Sequence, residues 1–140
     1  SAMTRQLLSP LIACCALTAV LVGCGKSAAP AVHGKVTLDG ESVAMGSIQF
    51  FPQGNIKTKA AAAIEQGSYM VPATDKLEPG KYRVQINWMK PTGKKISSAD
   101  PGITADEMRE AVPAKFNTAS TLTAEIGAGD TKKDFALTSK

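Results

Sequence analysis

Apolar and polar residues alternate along seven short stretches of the chain, beginning at Val32. The clearest stretch runs from Lys81 to Trp88, where every second residue is large and apolar. Successive side chains of a β-strand point to opposite faces, so this alternation is typical of a strand with one buried and one solvated face. The seven predicted strands lie at residues 32–38, 48–50, 60–64, 69–71, 82–88, 122–126 and 135–137.

Turn-forming residue pairs separate several of these stretches, among them Asp39-Gly40, Gln66-Gly67 and Pro79-Gly80. Glycine adopts positive φ without a steric penalty, so such pairs favour tight connections between antiparallel strands. Helical periodicity is nearly absent. The sequence therefore predicts an all-β fold, a seven-stranded antiparallel β-sandwich that occupies residues 32–140.

The segment from Lys90 to Ala119 departs from this pattern, because 30 residues separate two predicted strands. Connections in compact domains are usually about 2–6 residues long. Thr104 and Glu107 have the spacing of a capping box, which predicts a short helix over 105–111 that Pro113 ends. A long connection of this kind is either functional or a flexible or packing segment, and the sequence leaves both interpretations open.

The N-terminal segment has the layout of a secretory signal. Ser1 and Ala2 precede Met3 and are interpreted as an expression remnant, so the natural chain is expected to begin at Met3. After Arg5, an apolar run of 16 residues extends from 7 to 22. This run is shorter than the roughly 20 residues that a membrane-spanning helix needs, and small residues follow it. Residues 3–23 are therefore predicted to be a signal peptide.

Residues 21–24, Leu-Val-Gly-Cys, resemble a bacterial lipobox at the end of this run. The Cys24 thiol would receive a diacylglyceryl group and become the mature N-terminus. Residue 25 is Gly and not Asp. By resemblance to lipoproteins of diderm bacteria, the absence of Asp there implies transfer to the outer membrane. Residues 24–31 are small, polar and proline-containing, and are predicted to be a tether.

Charge and cysteine content narrow the set of partners. The chain has 16 Lys plus Arg against 12 Asp plus Glu, a formal net charge of +4. These charges are scattered, unlike the basic stripe of a nucleic-acid-binding protein, so we expect no nucleic-acid partner. Cleavage before Cys24 would remove Cys14 and Cys15, leaving one lipidated cysteine and no disulfide. The expected partners are the membrane, through the lipid on Cys24, and an envelope protein.

Several short motifs resemble the strands of carboxypeptidase-regulatory-like and transthyretin-like domains. These are Gly34–Val43 (GKVTLDGESV), Gly67–Val71 (GSYMV) and Pro79–Val84 (PGKYRV). The resemblance implies a transthyretin-like, prealbumin-like or Ig-like sandwich.

The C-terminal part of the chain is similar to the closing part of small planctomycete-type lipoproteins, which combine a lipobox with one such sandwich. The motifs are VPAKFN at 112–117, STLTAE at 120–125 and DFAL at 134–137. The two resemblances together cover Val32 to Leu137. They imply a fold and a location, since most members of that lipoprotein group have no assigned activity.

Candidate catalytic and metal-binding residues are few. His33 is the only histidine and lies on the polar side of the first predicted strand, so no zinc-type set of His and Cys is available. Asp100, Asp106, Glu107 and Glu110 lack the spacing of a calcium loop, and the predicted helix N-terminus accounts for them. We therefore expect no catalytic residue, no metal and no cofactor.

Aromatic residues give no sign of a sugar-binding surface. Tyr69, Tyr82 and Trp88 lie on the apolar side of their strands and are expected in the core. Phe51 and Phe116 lie out of phase or in loops, so they are the two candidates for exposed rings. Stacking on carbohydrate needs exposed aromatic faces, so the scarcity of exposed rings argues against a sugar-binding role.

The leading functional hypothesis is a non-enzymatic, lipid-anchored module of the cell envelope with a binding or structural role. One alternative is a carrier or receptor for a small ligand that uses the segment 90–119. A second alternative is a hydrolase that uses His33 as its base.

Overall fold

The computed structural model describes residues 31–140, and this part of the chain is all-β, with single 3₁₀ turns as its helical segments. Its strands are β1 (Val32–Leu38), β2 (Glu41–Ser42), β3 (Met45–Pro52), β4 (Ala60–Glu65), β5 (Ser68–Val71), β6 (Gly80–Asn87), β7 (Met89–Ser97), β8 (Thr104–Glu110), β9 (Thr123–Ile126), β10 (Thr131–Lys132) and β11 (Phe135–Leu137). The predicted signal peptide, Cys24 and the tether up to residue 30 lie outside the described residues.

Most strands belong to one curled sheet in the order β10-β1-β5-β4-β3-β6-β9, and β2 and β11 also pair with β1. The first half of β1 pairs with β5 and its second half with β2. Curling of the sheet around one core gives the predicted β-sandwich, so the fold class is confirmed. The prediction that all strands pair antiparallel is wrong, because β1 runs parallel to both β10 and β11.

The core follows the alternation seen in the sequence. Tyr82, Val84 and Ile86 of β6 are buried, and Arg83 and Gln85 between them are half-buried. All buried apolar residues of the described chain except Val43, Leu77 and Val112 fall on positions predicted to face inward. Burying one such side chain contributes about 1.5–3 kcal/mol relative to leaving it exposed. The periodicity therefore identifies the source of the sandwich's stability.

Two predicted turns have the geometry that their residues favour. Asp39 and Gly40 have φ values of 51° and 83° and connect β1 to β2. Gln66 and Gly67 have φ values of 50° and 78° and connect β4 to β5. Two successive residues with positive φ form a turn whose twist matches that of the flanking strands. These turns fix the register of both hairpins.

The C-terminal strands approach β1 so closely that Gly34 has no room for a side chain. A Cβ atom at Gly34 would lie 1.8 Å from the carbonyl oxygen of Lys133. The Tyr69 hydroxyl donates to the same carbonyl over 2.7 Å, and the Lys35 N–H donates to Oδ1 of Asp134 over 2.8 Å. The end of the chain is thus fastened to its first strand by backbone and side-chain contacts together.

Two pKa values shift at this junction in directions that preserve its hydrogen bonds. Burial, assisted by the negative charge of Asp134, raises the pKa of Tyr69, so the phenol stays protonated and able to donate. The hydrogen bond from the Lys35 N–H lowers the pKa of Asp134, and the charge of Lys132 acts in the same direction. The Asp134 carboxylate therefore remains an acceptor below the pH at which an ordinary aspartate would be protonated.

The structure overturns the helix predicted over 105–111. These residues belong largely to β8, which pairs antiparallel with β7. The segment 90–119 is therefore a β-hairpin followed by a 3₁₀ turn at Ala114–Phe116, and not a loop with one helix. With β2 and β10, this hairpin raises the number of strands in residues 31–140 from the predicted seven to eleven.

The close approach at Gly34 predicts that Gly34→Ala lowers the free energy of unfolding by about 3 kcal/mol or more, because the methyl group would overlap the Lys133 carbonyl. Gly129→Ala is the matched control, since a Cβ at Gly129 meets nothing within 4 Å, and it should stay within about 0.5 kcal/mol of the wild type. Urea unfolding followed by tryptophan fluorescence measures both. Equal stability of the two variants would contradict the close approach.

Candidate functional site

The hairpin of β7 and β8 stands apart from the rest of the described structure. Its two strands form a separate two-stranded sheet, and nearly all of their residues are exposed or half-exposed. The ladder is interrupted between Pro91 and Lys95, where Gly93 has a φ of 85°. A two-stranded hairpin alone is marginally stable in water, so the position of this one depends on contacts at its base.

The Glu110 carboxylate holds the base of the hairpin. Its Oε1 accepts the backbone N–H groups of Trp88 and Val112, both over 2.9 Å, and its Oε2 accepts the side-chain amide of Asn87 over 3.0 Å. Hydrogen bonds to a charged group contribute about 1.5–3 kcal/mol each. One side chain of β8 thus connects the end of β6 to the start of β7 and to the segment that follows the hairpin.

Lys90 makes the second connection between the hairpin and the sandwich. Its Nζ lies 2.9 Å from a carboxylate oxygen of Glu41 in β2 and 4.3 Å from the centre of the Trp88 ring. The buried Trp88 therefore provides an aromatic face for a cation whose carboxylate partner lies on β2. Both contacts are partly exposed, so they orient the hairpin more than they stabilise it.

The tip of the hairpin is a tight turn at residues 100–103. The Ile103 N–H donates to the Asp100 carbonyl over 3.2 Å, and Gly102 has a φ of 80°. Pro101 and Gly102 are the residues that a type II turn favours at its two central positions. The Ser98 N–H also donates to the Ile103 carbonyl over 2.8 Å, which closes the ladder at the tip.

Charges are segregated between the two strands. Lys90, Lys94 and Lys95 lie on β7, whereas β8 carries Asp106, Glu107 and Glu110, with Arg109 as its one cation. Cross-strand pairs connect the two sets: Lys95 Nζ lies 2.6 Å from Asp106, and the Thr92 hydroxyl donates to Glu107 over 2.6 Å. The acidic residues predicted to lie at a helix N-terminus therefore stabilise a hairpin instead.

Large apolar side chains are exposed on both faces of the hairpin. Of six such side chains exposed in residues 31–140, four belong to it, namely Met89, Ile96, Ile103 and Met108. Ile96 lies opposite Ala105, which places it on the same face as Ile103, while Met108 faces the other side because side chains alternate along a strand. Sequence reasoning missed this element, although Asp-Pro-Gly at 100–102 is a turn signal that could have indicated it.

His33 lies where it was predicted, exposed on the outer side of β1. It lies opposite Met70 of β5 in the ladder, and Lys35 and Lys132 border the same shallow hollow, which no carboxylate lines. In a Ser-His-Asp triad a carboxylate orients the imidazole, and none of the residues that line this hollow is a carboxylate. Residues 31–140 contain no group of three or more His, Cys, Asp or Glu side chains arranged to hold a metal ion.

The three aromatic residues that the sequence predicted for the core lie there in the structure. Tyr69, Tyr82 and Trp88 are buried, which confirms that prediction. Phe51 and Phe116 are only half-buried, and each has a cation above its ring: the Arg83 guanidinium at 4.9 Å and the Lys115 ammonium at 5.0 Å. One face of each ring is thus already covered by a neighbouring cation.

The arrangement at the hairpin base predicts that Glu110→Ala lowers the free energy of unfolding by about 1–3 kcal/mol, because two backbone N–H groups lose their acceptor. The amide protons of Trp88 and Val112 should exchange with solvent faster, as measured by hydrogen–deuterium exchange. Glu107→Ala, which removes a half-buried carboxylate that accepts one side-chain hydrogen bond and no backbone N–H, should cost less than about 1 kcal/mol. The interpretation fails if both variants lose the same stability or if these two amides remain protected.

Comparison with known proteins leaves the family open. No family model and no curated protein matches the chain significantly. Among solved structures, the chain is similar to the crystal structure of a DUF3823 family protein from Parabacteroides merdae ATCC 43184, with 15% identity and a TM-score of 0.40. The similarity covers 76% of this chain and 44% of that one, so this chain spans less than half of that protein. Neither this neighbour nor any other comparison supports the resemblance to planctomycete-type lipoproteins or transthyretin-like domains, which stays a prediction.

Proposed function

We propose that the protein is a non-enzymatic, lipid-anchored module of the bacterial cell envelope that binds a partner protein through the β7–β8 hairpin. The observation that carries the proposal is the hairpin itself. It is unpaired with the sandwich, yet it is fixed at its base and holds four of the six exposed large apolar side chains of the described chain. Surface apolar groups gathered on one element are typical of protein interaction sites.

The positions of the tether and the hairpin support this proposal. The predicted tether leads into Val32, the first residue of β1, whereas the hairpin is fastened to Glu41, just beyond the other end of β1. Seven residues of β-strand span about 20 Å. A sandwich anchored through Cys24 would therefore hold the hairpin at the end away from the membrane, where an envelope protein can reach it.

The free edges of the hairpin indicate how a partner would bind. The outer edges of β7 and β8 form no ladder within residues 31–140, so their backbone groups can pair with an added strand. Lys94 and Lys95 lie along the β7 edge. An extended segment with acidic side chains would match this edge in both backbone hydrogen bonds and charge, while Ile96 and Ile103 supply apolar contact at the tip.

A small-ligand carrier receives less support from the geometry. The hollow beside the hairpin base, lined by Lys90, Thr92 and Arg109 among others, has a volume of about 330 Å³ and is open to solvent. Sites for small molecules are concave and bury most of the ligand surface. For this reason we place a protein partner before a small ligand.

The anchor is tested by metabolic labelling. A native bacterial host supplied with radioactive palmitate should label the wild-type protein and should not label Cys24→Ala, because the thiol is the attachment point. The labelled protein should also sediment with membranes, and the Cys24→Ala variant should not. Equal labelling of both proteins would overturn the anchor without affecting the binding role of the hairpin.

Partner binding is tested by photo-crosslinking in the same host. A photoreactive amino acid at position 103, near the hairpin tip, should form one discrete adduct with an envelope protein. Ile96→Asp, which places a charge on the same face, should abolish that adduct, whereas Met70→Asp, an exposed position on β5, should leave it unchanged. A photoreactive residue at position 70 that gives the same adduct, or an adduct that survives Ile96→Asp, would contradict the role of the hairpin.

A further inference from the structure

Three of the four methionines in residues 31–140 surround a single surface hollow. Met45, Met89 and Met108 line a volume of about 240 Å³ together with Gly46, Ser47 and Asn87. The three residues have exposed fractions of 77%, 47% and 46%, so the hollow is lined by exposed methionines. The fourth, Met70, lies on β5 and borders other hollows.

Strand register explains why residues so distant in sequence meet here. Ser47 of β3 lies opposite Asn87 of β6, so continuing the antiparallel register by two residues places Met45 beside Met89. In the hairpin, Pro91 lies opposite Met108, which makes Met89 and Met108 diagonal neighbours on one face. Diagonal neighbours are about 7–8 Å apart at their backbones, and the unbranched methionine side chain spans that gap readily.

The residue types around the hollow favour one class of ligand. Thioether sulfur is a soft, neutral donor that selects Cu(I) among biological metal ions. Neither lysine nor arginine lines the hollow, so no positive side chain there repels a cation. An apolar docking surface would be served equally well by leucine or isoleucine, whereas three thioethers lining one hollow add the capacity to coordinate a metal.

We propose that Met45, Met89 and Met108 form a binding site for a soft monovalent cation, Cu(I), with Ag(I) as its redox-stable analogue. Binding consists of coordination by three neutral sulfur atoms, and no proton is released because thioethers do not titrate. The affinity should therefore be unchanged between about pH 5 and pH 8, unlike that of sites built from thiols or imidazoles. The site would tie the base of the hairpin to β3 and does not depend on a partner protein.

The test uses Ag(I) titration of the full-length chain with ¹³C-labelled methionine methyl groups. Cys14, Cys15 and Cys24 are replaced by serine and His33 by glutamine, because the thiols would bind Ag(I) themselves and so would the imidazole beside Met70. The methyl signals of the three site methionines should shift together and saturate at one equivalent of Ag(I), while the Met70 signal stays in place. Signals that shift independently, or a Met70 signal that shifts at the same concentration, would overturn the site.

Leucine variants separate coordination from packing. Leucine has nearly the volume of methionine and no sulfur, so the fold should be retained, which circular dichroism checks. Met45→Leu, Met89→Leu and Met108→Leu should each weaken Ag(I) binding at least tenfold, and Met70→Leu should leave it unchanged. Unaltered affinity in any of the three folded variants would overturn the three-sulfur site, while crosslinking from the hairpin tip would be unaffected by that result.

Discussion

The pairing of β1 along both of its edges is the contact on which the rest of the molecule depends. On one side β1 joins β5 and β2, and on the other it joins strands that lie close to 100 residues later in the chain. Such long-range pairing must overcome a large loss of chain entropy before its contacts contribute. Gly34 permits it, because the Lys133 backbone occupies the place of a side chain. Glu41, which holds the hairpin through Lys90, is positioned by the turn that follows β1.

The hairpin shows how a sandwich can hold an exposed element in a fixed direction with few contacts. The Glu110 carboxylate accepts hydrogen bonds from backbone N–H groups on both sides of the hairpin base. Trp88 extends the buried core to that point. Beyond the base, stability comes from cross-strand pairs such as Lys95 with Asp106 and from the turn at Pro101-Gly102. These contributions are individually small, so the tip is held less strongly than the base.

Burial explains which parts of the structure could be predicted from the sequence. All seven predicted strands exist because each buries one face, and burial imposes a period of two. The hairpin buries neither face, so it lacks that period, and Thr104 to Glu107 imitates a helix start. The turn residues Asp-Pro-Gly at 100–102 were the remaining sequence signal for the hairpin. The methionine cluster was beyond sequence reasoning, because the register of four strands brings Met45, Met89 and Met108 together.

The segregation of charge on the hairpin has a consequence for contacts between copies of this protein. Two hairpins that met about a twofold axis would place β7 against β7 or β8 against β8, with like charges facing each other across the new ladder. Pairing of β7 with β8 of the next copy matches opposite charges, but it leaves a free edge at each end. Self-association through this element would therefore produce an open row of molecules and not a closed dimer.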